Sequence, residues 1–221
     1  MVATRTRPSL RLERKCLEAG DQLVCGIDEV GRGAWAGPVT VAAVIPAQEH
    51  LSGIRDSKML TPDQRDVAAR RVRTWARGFA IGHASHTECD ELGMTAALRT
   101  AGLRALAGLA DQGFEPDRII LDGNHDYLRM GSRVTTVIKG DATSLAVAAA
   151  SCVAKVERDA MMAEEAEHFP AYGFDSNRGY PAPVHKYALC AYGPTTIHRR
   201  SWVFMDDLLW GGFDPPPGRL F

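Results

Sequence analysis

No apolar run in this 221-residue chain is long enough to cross a bilayer. The longest, Leu145 to Ala154, is interrupted by Ser151, and a spanning helix needs about 20 residues. No C-x-x-C pair occurs among the five cysteines, Cys16, Cys25, Cys89, Cys152 and Cys190. That argues against a zinc or dithiol redox site and for reduced thiols in a cytoplasmic setting. The dipeptide Gly-Lys is absent, which excludes a Walker-type phosphate loop. An excess of either charge is lacking too: the formal net charge is −1, so no overall basic field holds nucleic acid. Lysine is scarce, with five among 26 basic residues. Arginine's planar fork suits phosphate oxygens, although biased codon usage accounts for the ratio equally well. The start, Met1 to Lys15, is basic but lacks the apolar core of a signal peptide, and Glu13 and Glu18 come too soon for a transit peptide. Residues 1–22 read as an exposed lead-in.

What remains is ordinary globular composition, 45% apolar and 24% charged, and a length that one core can serve. Leu23 to Asp28 reads as a buried strand entering the turn Gly31-Arg32-Gly33, and Pro38 to Ile45 as its valine-rich hairpin partner. Thr61-Pro62 caps a helix running to about Val72. Phe79 to Ser85 is a third strand, Glu88 to Leu109 a helix weakened by Gly93, Gly102 and Gly108, and Arg118 to Asp122 and Val134 to Lys139 two further strands. A long alanine-rich helix spans about Ser144 to Glu167. This order predicts a mixed sheet with helices on its faces over residues 23–170. Beyond Pro170, glycine, proline and tyrosine dominate, with a short helix near Val184 to Ala191 and a proline-rich end, Asp214 to Phe221. Residues 171–221 read as an appendage.

Asp28 and Glu29 end one apolar strand, Asp122 ends another, and Asp141 sits between a strand and a helix start. Singly, each is more often a turn or cap residue. Together they suit a hard divalent cation, because Mg2+ and Mn2+ prefer oxygen ligands and no His or Cys cluster competes. Neighbours on a regular strand face opposite ways, so the strand is expected to break at Glu29, with Gly31 and Gly33 supplying the break and Arg32 on the rim. The string Gly31 to Ala36 also matches a dinucleotide fingerprint, but a strand follows where a helix is needed. Gly123-Asn124-His125-Asp126 looks like a block of the calcineurin-like metallophosphoesterases. The other two blocks of that class are absent, which leaves it as the alternative.

The string Gly26-Ile27-Asp28-Glu29-Val30-Gly31-Arg32-Gly33, continuing through Ala36-Gly37-Pro38-Val39, closely resembles the opening motif of type 2 ribonuclease H, the bacterial ribonuclease HII. Asp56-Ser57-Lys58, Leu121-Asp122-Gly123, Lys139-Gly140-Asp141 with Ser151 to Asp159, Asn177 to Pro181 with His185, and His198 to Ser201 resemble the later blocks, in order. Departures are few: Ala34-Trp35, Met59-Leu60 and Ala182 stand where the family commonly has other residues. The resemblance implies an α/β fold, a ribonuclease H-like mixed β-sheet flanked by helices, with a C-terminal helical appendage completing the substrate groove. It places the catalytic, metal-binding carboxylates on Asp28, Glu29, Asp122 and Asp141. The 2′-hydroxyl-sensing turn falls on Gly31, Arg32 and Gly33, and the junction-sensing tyrosine on Tyr180. Lys58 becomes a phosphate contact rather than an exposed loop lysine. His185 and His198 read as structural or phosphate-facing, not as metal ligands.

The expected activity is hydrolysis of the RNA strand of RNA/DNA hybrids, including single ribonucleotides embedded in duplex DNA. Two ions, Mg2+ or Mn2+, would clamp attacking and leaving oxygens, with Asp28 bridging them. RNA is told from DNA at the 2′-hydroxyl, through the wide minor groove of an A-like duplex. The expected partner is the nucleic acid alone, with no membrane, protein partners left open, and a monomeric chain. A non-catalytic nucleic-acid-binding module is the rival from a different class, and four carboxylates beside a phosphate backbone speak against it.

Overall fold

Strand β1 (Val24–Val30) is central because Val24 to Ile27, the stretch that pairs with β4, is apolar on both faces. It runs antiparallel to β2 (Val39–Ile45), with Gly26 opposite Val44 and Val30 opposite Thr40. β2 in turn pairs antiparallel with β3 (Gly78–Ala84). On the other side β1 runs parallel to that strand, β4 (Arg118–Asp122), and β4 parallel to β5 (Val134–Val137). The result is a five-stranded mixed sheet in the order β3-β2-β1-β4-β5. The computed structural model describes residues 7–55 and 57–206, so Asp56 and the proline-rich end Asp214 to Phe221 lie outside the described residues.

Each face of the sheet is covered by helices that cannot bury an apolar stripe any other way. On one face Ile27, Val41, Ile119 and Leu121 form a core with α3 (His86–Leu92) and α4 (Met94–Ala110). On the other, Ala42 and Val44 pack with α2 (Pro62–Trp75) and α5 (Leu145–His168). Thr61 caps α2 in a reciprocal capping box with Gln64. Gly26 lets α5 lie directly on β1: a Cβ there would stand 2.4 Å from the Ala146 carbonyl carbon.

Four expectations need correction. The strand does not break at Glu29; β1 stays paired through Glu29 opposite Val41 and Val30 opposite Thr40, and the turn begins at Gly31 with φ +89°. The single helix expected over 88–109 is two, because Gly93 at φ +78° ends α3 while serving as the N-cap of α4. β5 stops at Val137, since Lys139 adopts a left-handed φ of 57°. The lead-in is not merely exposed. Residues Arg11–Glu18 form helix α1, and its Glu13, buried, accepts from Ser144 Oγ at 2.6 Å and Ala146 N at 2.9 Å. The apolar residues Leu10, Leu12, Cys16 and Leu17 do recur at helical spacing, but over only two turns.

The appendage has its own small core of Tyr172, Phe174, Leu189 and Phe204, built on α6 (Phe174–Asn177) and α7 (Pro183–Tyr192). It is tied to the β1–β2 connection by main-chain bonds: Trp35 N to Gly179 O at 2.8 Å, Gly37 N to Ile197 O at 2.9 Å, and Arg199 N to Trp35 O at 2.8 Å. Trp35 stacks on Phe204 with ring centroids 4.3 Å apart.

Candidate active site

Pairing of β1 with β4 ends at Ile27 opposite Leu121. Beyond that point the β4 side of β1 is open, and Asp28, Glu29 and Asp122 border the same space. Asp28 lies opposite Ala42 and so faces α5, whereas Glu29 lies opposite Val41 and faces the α4 side. One open strand end thus serves carboxylates on both faces, which is how a strand that never breaks admits two adjacent acids.

Asp28 is buried, at 7% exposure. Burial first, then the charges of Glu29 and Asp122, hold its carboxyl well above the usual range, while bonds from Ser151 and the Glu29 amide act against that shift. The Glu29 N–H donates to Asp28 Oδ1 at 2.8 Å. Ser151, the residue that interrupts the apolar run of α5, also bonds Ser57 Oγ at 3.0 Å. Asp122 is oriented by the Gly140 N–H, which donates to its Oδ1 at 2.7 Å. Asp141 follows in the chain and is buried at 6% exposure. The buried phenol of Tyr127 belongs to the same neighbourhood: burial and then Glu29, Asp28 and Asp122 push its pKa well up, and its hydroxyl has no hydrogen-bond partner among the described residues.

This donor set fits a hard cation. Its ligands are oxygens only, its charges repel one another, and a divalent ion would relieve both the repulsion and the burial of Asp28. Among the described residues no group of three His, Cys, Asp or Glu side chains is drawn together closely enough to hold an ion; like charges stand off from one another. The backbone supplies the converging strand ends.

Directly after β1 the glycine turn is held by two buried arginines that sequence reasoning did not single out. Arg158 donates to the carbonyls of Pro38 at 2.8 Å, Arg178 at 2.8 Å and Ala36 at 3.0 Å. Arg199 donates twice to Gly37 O, at 3.1 and 3.0 Å, and once to Arg32 O at 3.1 Å. Desolvation lowers the pKa of both, that of Arg158 to about 10. Gly31 is architectural, because a Cβ there would stand 2.2 Å from Arg158 Nε. Gly33 differs. It is exposed, and a Cβ there would meet nothing nearer than Tyr180 Cε1 at 4.0 Å.

Tyr180 stands over this turn: its hydroxyl accepts from the Gly31 N–H at 3.1 Å, and Arg158 lies 5.5 Å from its ring centroid. Its carbonyl can only accept, so His185 Nδ1 donates to it at 2.9 Å. Neutral His185 Nε2 then accepts from His198 Nε2 at 2.9 Å, and His198 Nδ1 accepts from the Thr195 N–H at 2.8 Å. Both rings are fully buried, and burial lowers both pKa values, that of His198 to about 3. The structural reading of the two histidines fits these contacts. Arg32 is exposed on the rim, and Lys58 lies in a one-turn 3-10 helix, Ser57–Met59, its side chain outside what is described.

The decoys resolve as structure. Asp126 of the Gly-Asn-His-Asp block caps the Arg129 and Met130 amides at 3.0 and 3.1 Å, and the turn after Gly33 leads to strand β2, not a helix.

A mixed sheet with helices on both faces and oxygen donors gathered at the ends of two adjacent parallel strands defines a ribonuclease H-like α/β protein. A family model described as Ribonuclease HII matches residues 25–205. A ribonuclease HII of Streptomyces avermitilis is 54% identical over 86% of this chain and 80% of its own length, and one of Synechococcus is 45% identical over 93% and 92%. The solved ribonuclease H2 of Pyrococcus horikoshii superposes with a TM-score of 0.69 at 25% identity, over 85% of this chain and 97% of that one. The chain belongs to the ribonuclease HII family. Members of this family are endoribonucleases that hydrolyse the RNA of RNA/DNA hybrids with divalent metal. No helix among the described residues is long and apolar enough to cross a membrane.

Proposed function

We propose that this chain cuts both long RNA/DNA hybrids and single ribonucleotides embedded in duplex DNA, using two Mg2+ or Mn2+ ions held by Asp28, Glu29, Asp122 and Asp141. The observation that carries the reading is the buried carboxyl of Asp28, whose charge is opposed by Glu29 and Asp122 at an open strand end. When bound, the ions supply an activated water and neutralise charge on the phosphate and the departing 3′-oxygen. Asp28, between its two charged neighbours, is the residue suited to share both ions. The Gly140 N–H fixes one oxygen of Asp122 and leaves the other to bind. Tyr127, a buried donor without an acceptor, is available to the hydrated site.

The turn does the sensing. Gly31 is fixed by Arg158, while exposed Gly33 leaves main chain open beside Tyr180, so backbone groups of Gly31, Arg32 and Gly33 meet a 2′-hydroxyl without a side chain between. The Tyr180 ring then lies against the neighbouring deoxyribose and reads the step from RNA to DNA. Lys58 contacts a phosphate. The test is one incubation series in Mg2+: a duplex with one ribonucleotide, an all-RNA/DNA hybrid and an all-DNA duplex, each with and without EDTA. The first two are expected to be cut and the third spared, with EDTA stopping everything. Cleavage of the DNA duplex, or cleavage in EDTA, would overturn the proposal.

A further inference from the structure

The basic start of the chain has no part in the site described above. Folded, it becomes one wall of a cleft of about 930 Å³ between α1 and the segment after β5. Arg7, Arg11, Arg14 and Lys15 line that cleft against a single lining acid, Glu18. All four cations are exposed. Among the described residues none of them forms an ion pair or a side-chain hydrogen bond. The other acid of α1, Glu13, is buried and its Oε1 accepts from Ser144 Oγ and Ala146 N, so the outer face of the helix carries Arg11, Arg14 and Lys15 against Glu18 alone.

Part of that arrangement disfavours the helix, with Glu18 at favourable spacing from Arg14 and Lys15 as the counterweight. Arg11 with Arg14, and Arg11 with Lys15, are like charges three and four residues apart. Arg11 also places a cation at the first helical position, the positive end of the helix dipole, where no side chain caps the end. An anion in the cleft would offset these unfavourable terms. The far wall connects to the acids: Thr143 lines the cleft, its hydroxyl donates to Gly140 O at 3.3 Å, and the Gly140 N–H donates to Asp122 Oδ1 at 2.7 Å. Two hydrogen bonds separate the cleft from a candidate catalytic carboxylate.

We propose that the cleft between α1 and the Thr143 segment is a second phosphate-binding surface, which holds the backbone of the nucleic-acid duplex beyond the acid site. The inference rests on the nuclease reading above. A duplex carries a phosphate charge for about every 1.7 Å of its axis, so a substrate longer than the site that cuts it continues over neighbouring surface. A chain of net charge −1 gains affinity there only from a local patch such as this one.

The experiment compares the wild-type chain with the double variant Arg11→Glu, Lys15→Glu in Mg2+, on a hybrid of about one helical turn and on one of about three turns. On the long hybrid KM is expected to rise about tenfold with kcat within about twofold, and the slope of log(kcat/KM) against log salt to shrink by about 0.9 per lost contact. On the short hybrid KM should barely move. Equal effects on both lengths, or an unchanged KM and salt slope, would overturn the proposal. If the charge reversal unfolds the chain by circular dichroism, Arg11→Gln, Lys15→Gln must give the same pattern more weakly, and its failure to do so counts equally against the surface. A wild-type chain that cuts neither hybrid would instead remove the nuclease reading, and this surface with it.

Discussion

The acids and the glycine turn that follows Val30 are neighbours in the chain and are built by opposite means. At the acids, like charges oppose one another: Asp28 is buried with Glu29 and Asp122 acting against its ionisation. At the turn, two cations are buried with no ion pair of their own among the described residues, yet Arg158 and Arg199 donate six bonds to main-chain carbonyls. One region stores repulsion that a ligand can relieve. The other is satisfied before any ligand arrives, since buried carbonyls and guanidinium groups complete one another. The proposed function uses the unsatisfied side, and the satisfied side holds the turn in place.

That contrast makes removal of a charge cost different things in the two places. Asp28→Asn should lower hybrid cleavage by about a thousandfold, ~4 kcal/mol of barrier, while its melting temperature in EDTA is no lower than wild type, because repulsion goes with the charge. A steady-state assay beside a thermal melt reads both, and a destabilised variant would mean that Asp28 has a structural partner. Arg158→Met should do the reverse. It strands three carbonyls in the interior, and a loss of about 3 to 5 kcal/mol would lower the melting temperature by about 10 °C. An unchanged melt would show that water replaces the guanidinium and that the turn does not depend on it.

Tyr180 links the glycine turn to the appendage, and its effect should be intermediate and depend on substrate. Tyr180→Ala is expected to slow cleavage about ten- to a hundredfold, more on a duplex with one ribonucleotide than on a long hybrid. Equal slowing of both would make Tyr180 a packing residue between sheet and appendage. The smallest effect is on the histidine pair behind it. The folded chain keeps His198 neutral down to about pH 3, whereas the unfolded chain takes up the proton near pH 6.5. Stability from this group is thus complete above pH 6.5 and is lost as pH falls toward 3. About 1 kcal/mol should be gone by pH 5.5. Melting curves between pH 7 and 5 should fall more steeply for wild type than for His198→Gln, and parallel curves would contradict the buried neutral pair.

The same contrast explains what could be read from sequence. The strands and α5 were legible because runs such as Ile119-Ile120-Leu121 and the alanine-rich 145–154 segment bury apolar residues at regular spacing. The candidate acids were legible as polar residues ending those runs. Arg158 and Arg199 were not, because an arginine inside a family block reads as a phosphate contact, and only the fold reveals that its partners are carbonyls more than 100 residues away. Ser151 left a visible trace by breaking an apolar run, but its partner Asp28 lies on another element. Helix α1 left only two turns of apolar spacing in a cation-rich segment, and the break between α3 and α4 falls at one of three glycines in its segment, of which only Gly93 takes a positive φ.

The central claim is that the mutually opposed carboxylates are a metal site, and calorimetric titration of Mn2+ into wild type and into Asp28→Asn tests it most directly. The account predicts a saturable binding heat for the wild-type chain that is abolished or weakened by at least about tenfold, ~1.4 kcal/mol, in the variant. Equal Mn2+ affinity for the two proteins would contradict it.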